Sequence, residues 1–220
     1  MIRASGAVLA AVAALWAVAV AGAPVDAMQG AIQKILYVHV PAALGAYLGF
    51  LGTALCGALY LRNGAERWDR LAISCAEVGV VFCTLNIATG PIWARGTWGH
   101  WWAWDPRLTL TLLIWFIYLA YLLLRSFTEG SERTARFAAA YGLLGALAIP
   151  LNYFAIRLFG GAAMHPDNLE RGSLGPGMGW PFLLGMLAAA AAFAHLLALR
   201  FDLETRRIAR ARALAVLRPE

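Results

Sequence analysis

The sequence predicts an all-α integral membrane protein: a six-helix transmembrane bundle in which residues 1–220 form a single six-span domain with both termini cytoplasmic. Three observations predict it. Composition comes first, because 61% of the 220 residues are hydrophobic and 14% charged, with positive mean hydropathy, too apolar for a domain that keeps its surface in water. Length is the second. A helix needs roughly 20 apolar residues to cross a bilayer, and stretches at about residues 4–23, 40–61, 71–90, 108–124, 137–156 and 181–199 qualify. The third is the distribution of charge. Most of the 18 basic residues, including Arg3, Arg62, Arg67, Arg70, Arg125, Arg133, Arg136 and the tail from Arg200 to Arg218, fall on one side of a six-span arrangement; the other side holds only Lys34, Arg95, Arg107, Arg157 and Arg171. Cytoplasmic loops carry the excess of Lys and Arg. The net charge of +6 therefore reports topology, and no nucleic acid is expected as a partner.

The first span, Gly6 to Gly22, contains Ala, Val and Leu with a single Trp16 and nothing ionisable. No small-residue cleavage site leads from it into a soluble domain, so it is expected to stay as an uncleaved anchor and packing element. The outer segment 24–38 holds Asp26, Gln29, Gln33 and Lys34, with Ile32, Ile35 and Leu36 at helical spacing, a half-turn expected to lie on the membrane surface. Pro41 marks the first turn of the second span and places His39 just outside it, at the outer interface. Gly45, Gly49, Gly52 and Gly57 suit close helix packing. In the third span Glu77 is either a functional intramembrane acid or a carboxyl accommodated in a helix interface, since a charge there costs about 2.5–3.5 kcal/mol if unassisted. Asn86 and Thr89 point the same span's polar groups outward. The aromatics of the fourth span, Trp115, Phe116, Tyr118 and Tyr121, are expected to pack. Pro150 kinks the fifth span near the outer face, where it can shape a cavity.

The third outer loop, 157–180, carries Met164-His165-Pro166. The proline holds His165 extended, on the same face as His39. The tail beyond Phe201 alternates basic residues with Leu203, Ile208, Leu214 and Leu217; it is either an amphipathic helix on anionic membrane lipid or a solubilised end. Glu77 and this tail are expected to serve packing and partner docking. Cys56, Cys75 and Cys83 are odd in number, lie in spans, and belong to no CxxC or CxxCH, so they are read as buried apolar residues, not as a disulfide framework or haem attachment site.

The densest chemistry lies in the outer tryptophan-rich loop 91–107. Trp98, Trp101, Trp102 and Trp104 are four of only nine tryptophans in the chain, and Asp105, Pro106 and Arg107 follow at once. Two readings are open: an interfacial tryptophan belt, or a platform for a flat apolar ligand. Asp105 has a structural use as well, as the cap before a helix that begins at Pro106. Two histidines flanking an aromatic shelf have an economical explanation in an iron porphyrin. Imidazoles take its axial positions, indoles cover the macrocycle, and Arg107, Arg95 or Lys34 meet its propionates. Zinc fits less well, since it wants three or four close ligands and no tryptophan.

The run Trp98-Gly99 with Trp101-Trp102-Ala103-Trp104-Asp105-Pro106-Arg107-Leu108-Thr109 resembles the tryptophan-rich signature of the haem-handling proteins of cytochrome c maturation. With six spans, His39 in a His-Val-Pro context and His165 in the last outer loop, the chain resembles the protein C (CcmC) family of system I over nearly its whole length. The resemblance implies haem b held at the outer face, with His39 and His165 as axial metal ligands and Trp98, Trp101, Trp102, Trp104, Asp105 and Arg107 around it. It also implies transfer to a periplasmic haem chaperone, and work with ABC transporter subunits and a small single-span membrane subunit. The location implied is the bacterial inner membrane, multi-pass, with the haem site on the periplasmic side. His100 and Met164 are additional candidate ligands. The alternative class is a membrane transporter or permease subunit for haem or another solute, with the aromatic loop as vestibule. No G-x-S-x-G or H-E-x-x-H occurs, so any lyase-like delivery is non-hydrolytic.

Overall fold

The computed structural model describes residues 2–127, 131–160, 164–166, 169 and 172–216, with only the backbone at 212, 215 and 216; Arg171, Leu217 and Arg218 lie outside the described residues. The helices are α1 (Ile2–Ala21), α2 (Leu36–Asn63), α3 (Glu66–Trp98), α4 (Pro106–Phe127), α5 (Glu132–Ala146), α6 (Ala148–Tyr153), α7 (Ala155–Phe159) and α8 (Gly179–Val216), with a 3-10 turn over Ala31–Ile35 before α2. Six segments are long and apolar enough to cross a membrane, α5 and α6 forming one of them. The chain is a multi-pass membrane protein.

α2 is the central post, with α3, α5 and α8 packed on it. Its approach to α3 is close enough that a Cβ on Gly49 would lie 2.5 Å from the Cα of Gly79. No other residue fits there without parting the helices. Phe50 of α2 stacks on Tyr118 of α4 at 3.8 Å, and the Tyr118 hydroxyl reaches the carbonyls of Phe50 and Gly142, 3.2 Å from each. Tyr118 and Tyr121 are buried, as their place among apolar neighbours led one to expect. The three cysteines are free and buried.

α1 packs against α8, with the Ser5 hydroxyl 2.9 Å from His195 Nδ1. At the end of the bundle away from residues 99–105, Asp69 of α3 pairs with Arg125 of α4 at 2.7 Å, and Glu77 of α3 pairs with Arg200 of α8 at 2.5 Å. Arg200 grips both carboxylate oxygens of Glu77 through two nitrogens. Glu77 is thus accommodated at a helix interface by a bidentate partner 123 residues away. The tail does not form a separate surface helix: α8 continues through it as 38 residues, ~57 Å at 1.5 Å per residue, well beyond a ~30 Å hydrocarbon core.

Three boundaries differ from those expected. α3 runs to Trp98, so the outer connection is residues 99–105, not 91–107. Pro91 removes one backbone donor, yet a membrane helix tolerates it where neighbours hold the chain. Here Ala94 is buried and Gly96 abuts Ile32 of the 3-10 turn. The helix ends at Trp98, capped by Gly99 with φ of 80°, a conformation open to glycine. His39 lies inside α2, not outside it, because the 3-10 turn feeds directly into Leu36. The fifth span is broken twice, at Leu147 and at Phe154, with Pro150 in the short α6 between.

Candidate functional site

The half of the bundle that contains the broken fifth span surrounds a cavity of about 560 Å³, a volume suited to a cofactor-sized ligand. His39 and His165 both line it. Their ring centroids are 6.4 Å apart, with the planes inclined by 32°.

His39 is carried by α2 and held by α3. Thr89 Oγ1 gives its hydrogen to the Leu85 carbonyl at 2.8 Å, so its oxygen accepts from His39 Nδ1–H at 2.9 Å. That leaves the basic lone pair on Nε2. Asn86 Nδ2 donates to the His39 carbonyl at 3.1 Å. It also lies 3.4 Å from His39 Nδ1 and 3.2 Å from Nε2.

His165 is carried by a loop. Its Nδ1–H donates to the Pro166 carbonyl at 2.7 Å, again leaving Nε2 as the acceptor. Burial pushes the imidazole below its ordinary pKa; the Pro166 carbonyl opposes this, the Arg107 guanidinium adds to it, and Asp105 opposes it. Neutral rings with Nδ1 engaged and Nε2 basic are the form that binds a metal.

Asp105 joins this loop to α4. It is 2% exposed. Its Oδ1 accepts from Arg107 N–H at 2.7 Å and Leu108 N–H at 3.4 Å, the helix cap that Asp before Pro106 leads one to expect. Its Oδ2 accepts from the backbone N–H groups of Met164 at 2.5 Å and His165 at 3.1 Å. One carboxylate therefore starts α4 and pins the His165 peptide.

Arg107 is the cation on the cavity wall. Tyr47 lines the same wall. Its hydroxyl donates to Asn152 Oδ1, and Asn152 Nδ2 donates to the Arg107 carbonyl at 2.8 Å and to Thr111 Oγ1 at 3.0 Å. Lys34 and Arg95 are otherwise engaged: Lys34 caps α1 through the carbonyls of Val20 and Ala21, and Arg95 donates to the Gly99 carbonyl.

A family model described as Heme exporter protein C matches residues 1–215. The chain belongs to the heme exporter protein C family. It is 33% identical over 194 residues to the Heme exporter protein C of Bradyrhizobium diazoefficiens, covering 84% of this chain and 72% of that protein. It is 31% identical over 202 residues to that of Haemophilus influenzae, covering 90% and 80%. A mitochondrial protein of Marchantia polymorpha, described as a putative cytochrome c biosynthesis ccmC-like protein, is 30% identical over 84% of this chain and 78% of its own length.

In this member of the heme exporter protein C family the tryptophans divide. Trp98 and Trp102 line the cavity, whereas Trp101 and Trp104 are 60% and 77% exposed and stand outside its wall, Trp104 edge-on to Trp102 at 5.8 Å. His100 is exposed beside Trp98. Sequence reasoning missed Trp93, which lines the cavity, meets Trp98 edge-on at 5.0 Å and lies 6.3 Å from His165. Continuing the helical register past Pro91 would have found it. Tyr47 and Asn152 were missed too. Nothing local in the sequence marks them, because their partners lie on other helices.

Proposed function

We propose that this chain binds haem b with His39 and His165 as the two axial ligands and delivers it to a periplasmic haem chaperone during cytochrome c maturation. The observation that carries this is the spacing of the two imidazoles across the cavity. Their ring centroids are 6.4 Å apart, a separation at which both imidazoles would reach one metal ion held between them. The remaining donors fit the same ligand. Trp93, Trp98 and Trp102 offer an aromatic wall, Arg107 a guanidinium for a propionate, and Asp105 fixes the peptide that carries His165. Haem, when bound, supplies an iron with two axial positions. The printed names of the relatives, heme exporter and cytochrome c biosynthesis, support the same cargo.

The charge distribution supports cytoplasmic termini and a periplasmic site in a bacterial inner membrane. The family name, exporter, supports assembly with ABC transporter subunits and a small single-span subunit. Trp101 and Trp104, exposed beside the cavity, are suited to meeting the chaperone.

The test is the optical spectrum of the purified protein, oxidised and reduced, after expression in haem-replete cells. Wild type is expected to show a low-spin bis-imidazole spectrum, lost in His39→Ala and in His165→Ala and partly restored by added imidazole. Wild-type spectra in both variants, with loss in His100→Ala, would overturn the ligand assignment. No Soret absorbance in wild type would favour a transporter for another solute.

A further inference from the structure

Gln33 is the polar side chain in the cavity wall whose chemistry the site described above does not use. It sits in the 3-10 turn before α2, is 6% exposed and lines the same cavity as the histidines. Its Oε1 is buried with no hydrogen-bond partner among the described residues. Its Nε2 reaches only the Met178 thioether, at 3.8 Å, a weak acceptor. Two polar neighbours in the same wall, Gln29 and Asp26, do have partners. Gln29 Oε1 accepts from the Trp93 indole N–H at 2.9 Å, and Asp26 Oδ1 accepts from the Met28 and Gln29 amides at 2.9 and 2.7 Å. A buried carboxamide left unmatched is costly and correspondingly rare, so this one points to a ligand that completes it.

We propose that Gln33 is a ligand-binding residue whose carboxamide hydrogen-bonds a carboxyl group at the rim of the porphyrin, a second polar anchor on a different wall from Arg107. This rests on the haem reading of the cavity. The amide oxygen accepts from a protonated carboxylic acid, whereas a carboxylate is met by the NH2 only with the amide turned over, its oxygen then against the Met178 thioether. An apolar residue in its place would leave the metal–histidine bonds and aromatic contacts untouched and remove only recognition of the rim.

The experiment titrates the purified, haem-free full chain with haemin and, separately, with haemin dimethyl ester, whose carboxyls are blocked, following the Soret band. Wild type should bind haemin more tightly than the ester. Gln33→Leu should lose ~10-fold in haemin affinity, the scale of one hydrogen bond to a charged group, with ester affinity unchanged. Gln33→Glu should lose more for haemin, because a carboxylate then faces a carboxylate. Equal losses for both porphyrins, no loss for either, or a wild type without preference for the free acid would overturn the assignment while leaving the haem site standing. A wild type that binds neither porphyrin would overturn the haem reading and this inference together.

Discussion

His39 and His165 meet across one cavity but are held there in different ways. His39 is part of a 28-residue helix that forms the centre of the bundle; its ring is steadied by Thr89 and Asn86 from α3, and the α2–α3 seam is tight enough to exclude a side chain at Gly49. His165 lies on a loop, and its peptide is held by a single buried carboxylate, Asp105. The histidine on the helix inherits its position from the packing of the whole fold. The histidine on the loop is held through Asp105, which binds its peptide and that of Met164, and through its own bond to the Pro166 carbonyl. On the proposed haem reading, this asymmetry would let the loop histidine withdraw while the helix histidine stays, without disturbing the bundle.

The sharpest way to break this comparison is Asp105→Asn. Asn still serves as a helix cap, so α4 should form and the protein should insert normally. It cannot, however, accept from both pairs of backbone N–H groups, since one of its two polar atoms is now a donor. Hydrogen bonds to a charged group are worth about 1.5–3 kcal/mol each, so haem affinity should fall more than tenfold and the spectrum should shift from low to high spin as His165 is lost. Covalent haem on a co-expressed chaperone should fall in parallel. Transfer at the wild-type level with an unchanged spectrum would reduce Asp105 to a cap.

Thr89→Val tests the other side and should cost less. It removes the acceptor for His39 Nδ1–H, but α2 still places the ring. The loss is expected to be about 1 kcal/mol, one neutral hydrogen bond, seen as a several-fold weaker haem affinity with the low-spin spectrum retained. A larger defect than that of Asp105→Asn would reverse the assignment of the two histidines as the fixed and the released ligand.

The smallest differences are expected within the tryptophan run. Trp102→Ala, at the cavity wall, should weaken haem retention by about 1 kcal/mol beyond the area it covers. Trp104→Ala should leave retention near wild type and instead slow transfer to the chaperone. Haem loss rates from the two purified variants, compared with the yield of covalently loaded chaperone, separate these outcomes; equal retention defects would make the run a shared platform.

The six spans were legible in the sequence because hydropathy is a local, additive property and a bilayer demands it over a known length. The same holds for Asp105 as the cap of α4, which needs only its own neighbours, Pro106 to Leu108. The extension of α3 past Pro91 was not legible. It depends on the contact of Gly96 with Ile32, and a proline read alone suggests an end.

What the tertiary structure decided is which of these locally similar residues face one another. Asp105 meets His165 across 60 residues of chain, Tyr47 meets Asn152 across 105 and Glu77 meets Arg200 across 123. Four tryptophans in one short run look alike by composition, yet only Trp98 and Trp102 of them reach the cavity. Gln33 looks like any polar residue of an outer loop until its burial and its unmatched oxygen are seen. The physical reason is common to all of them. Membrane partition depends on the kind of residue within one span, whereas pairing depends on the angular position of a side chain on its helix and on the rotation of that helix against its neighbours, which packing of the whole bundle sets.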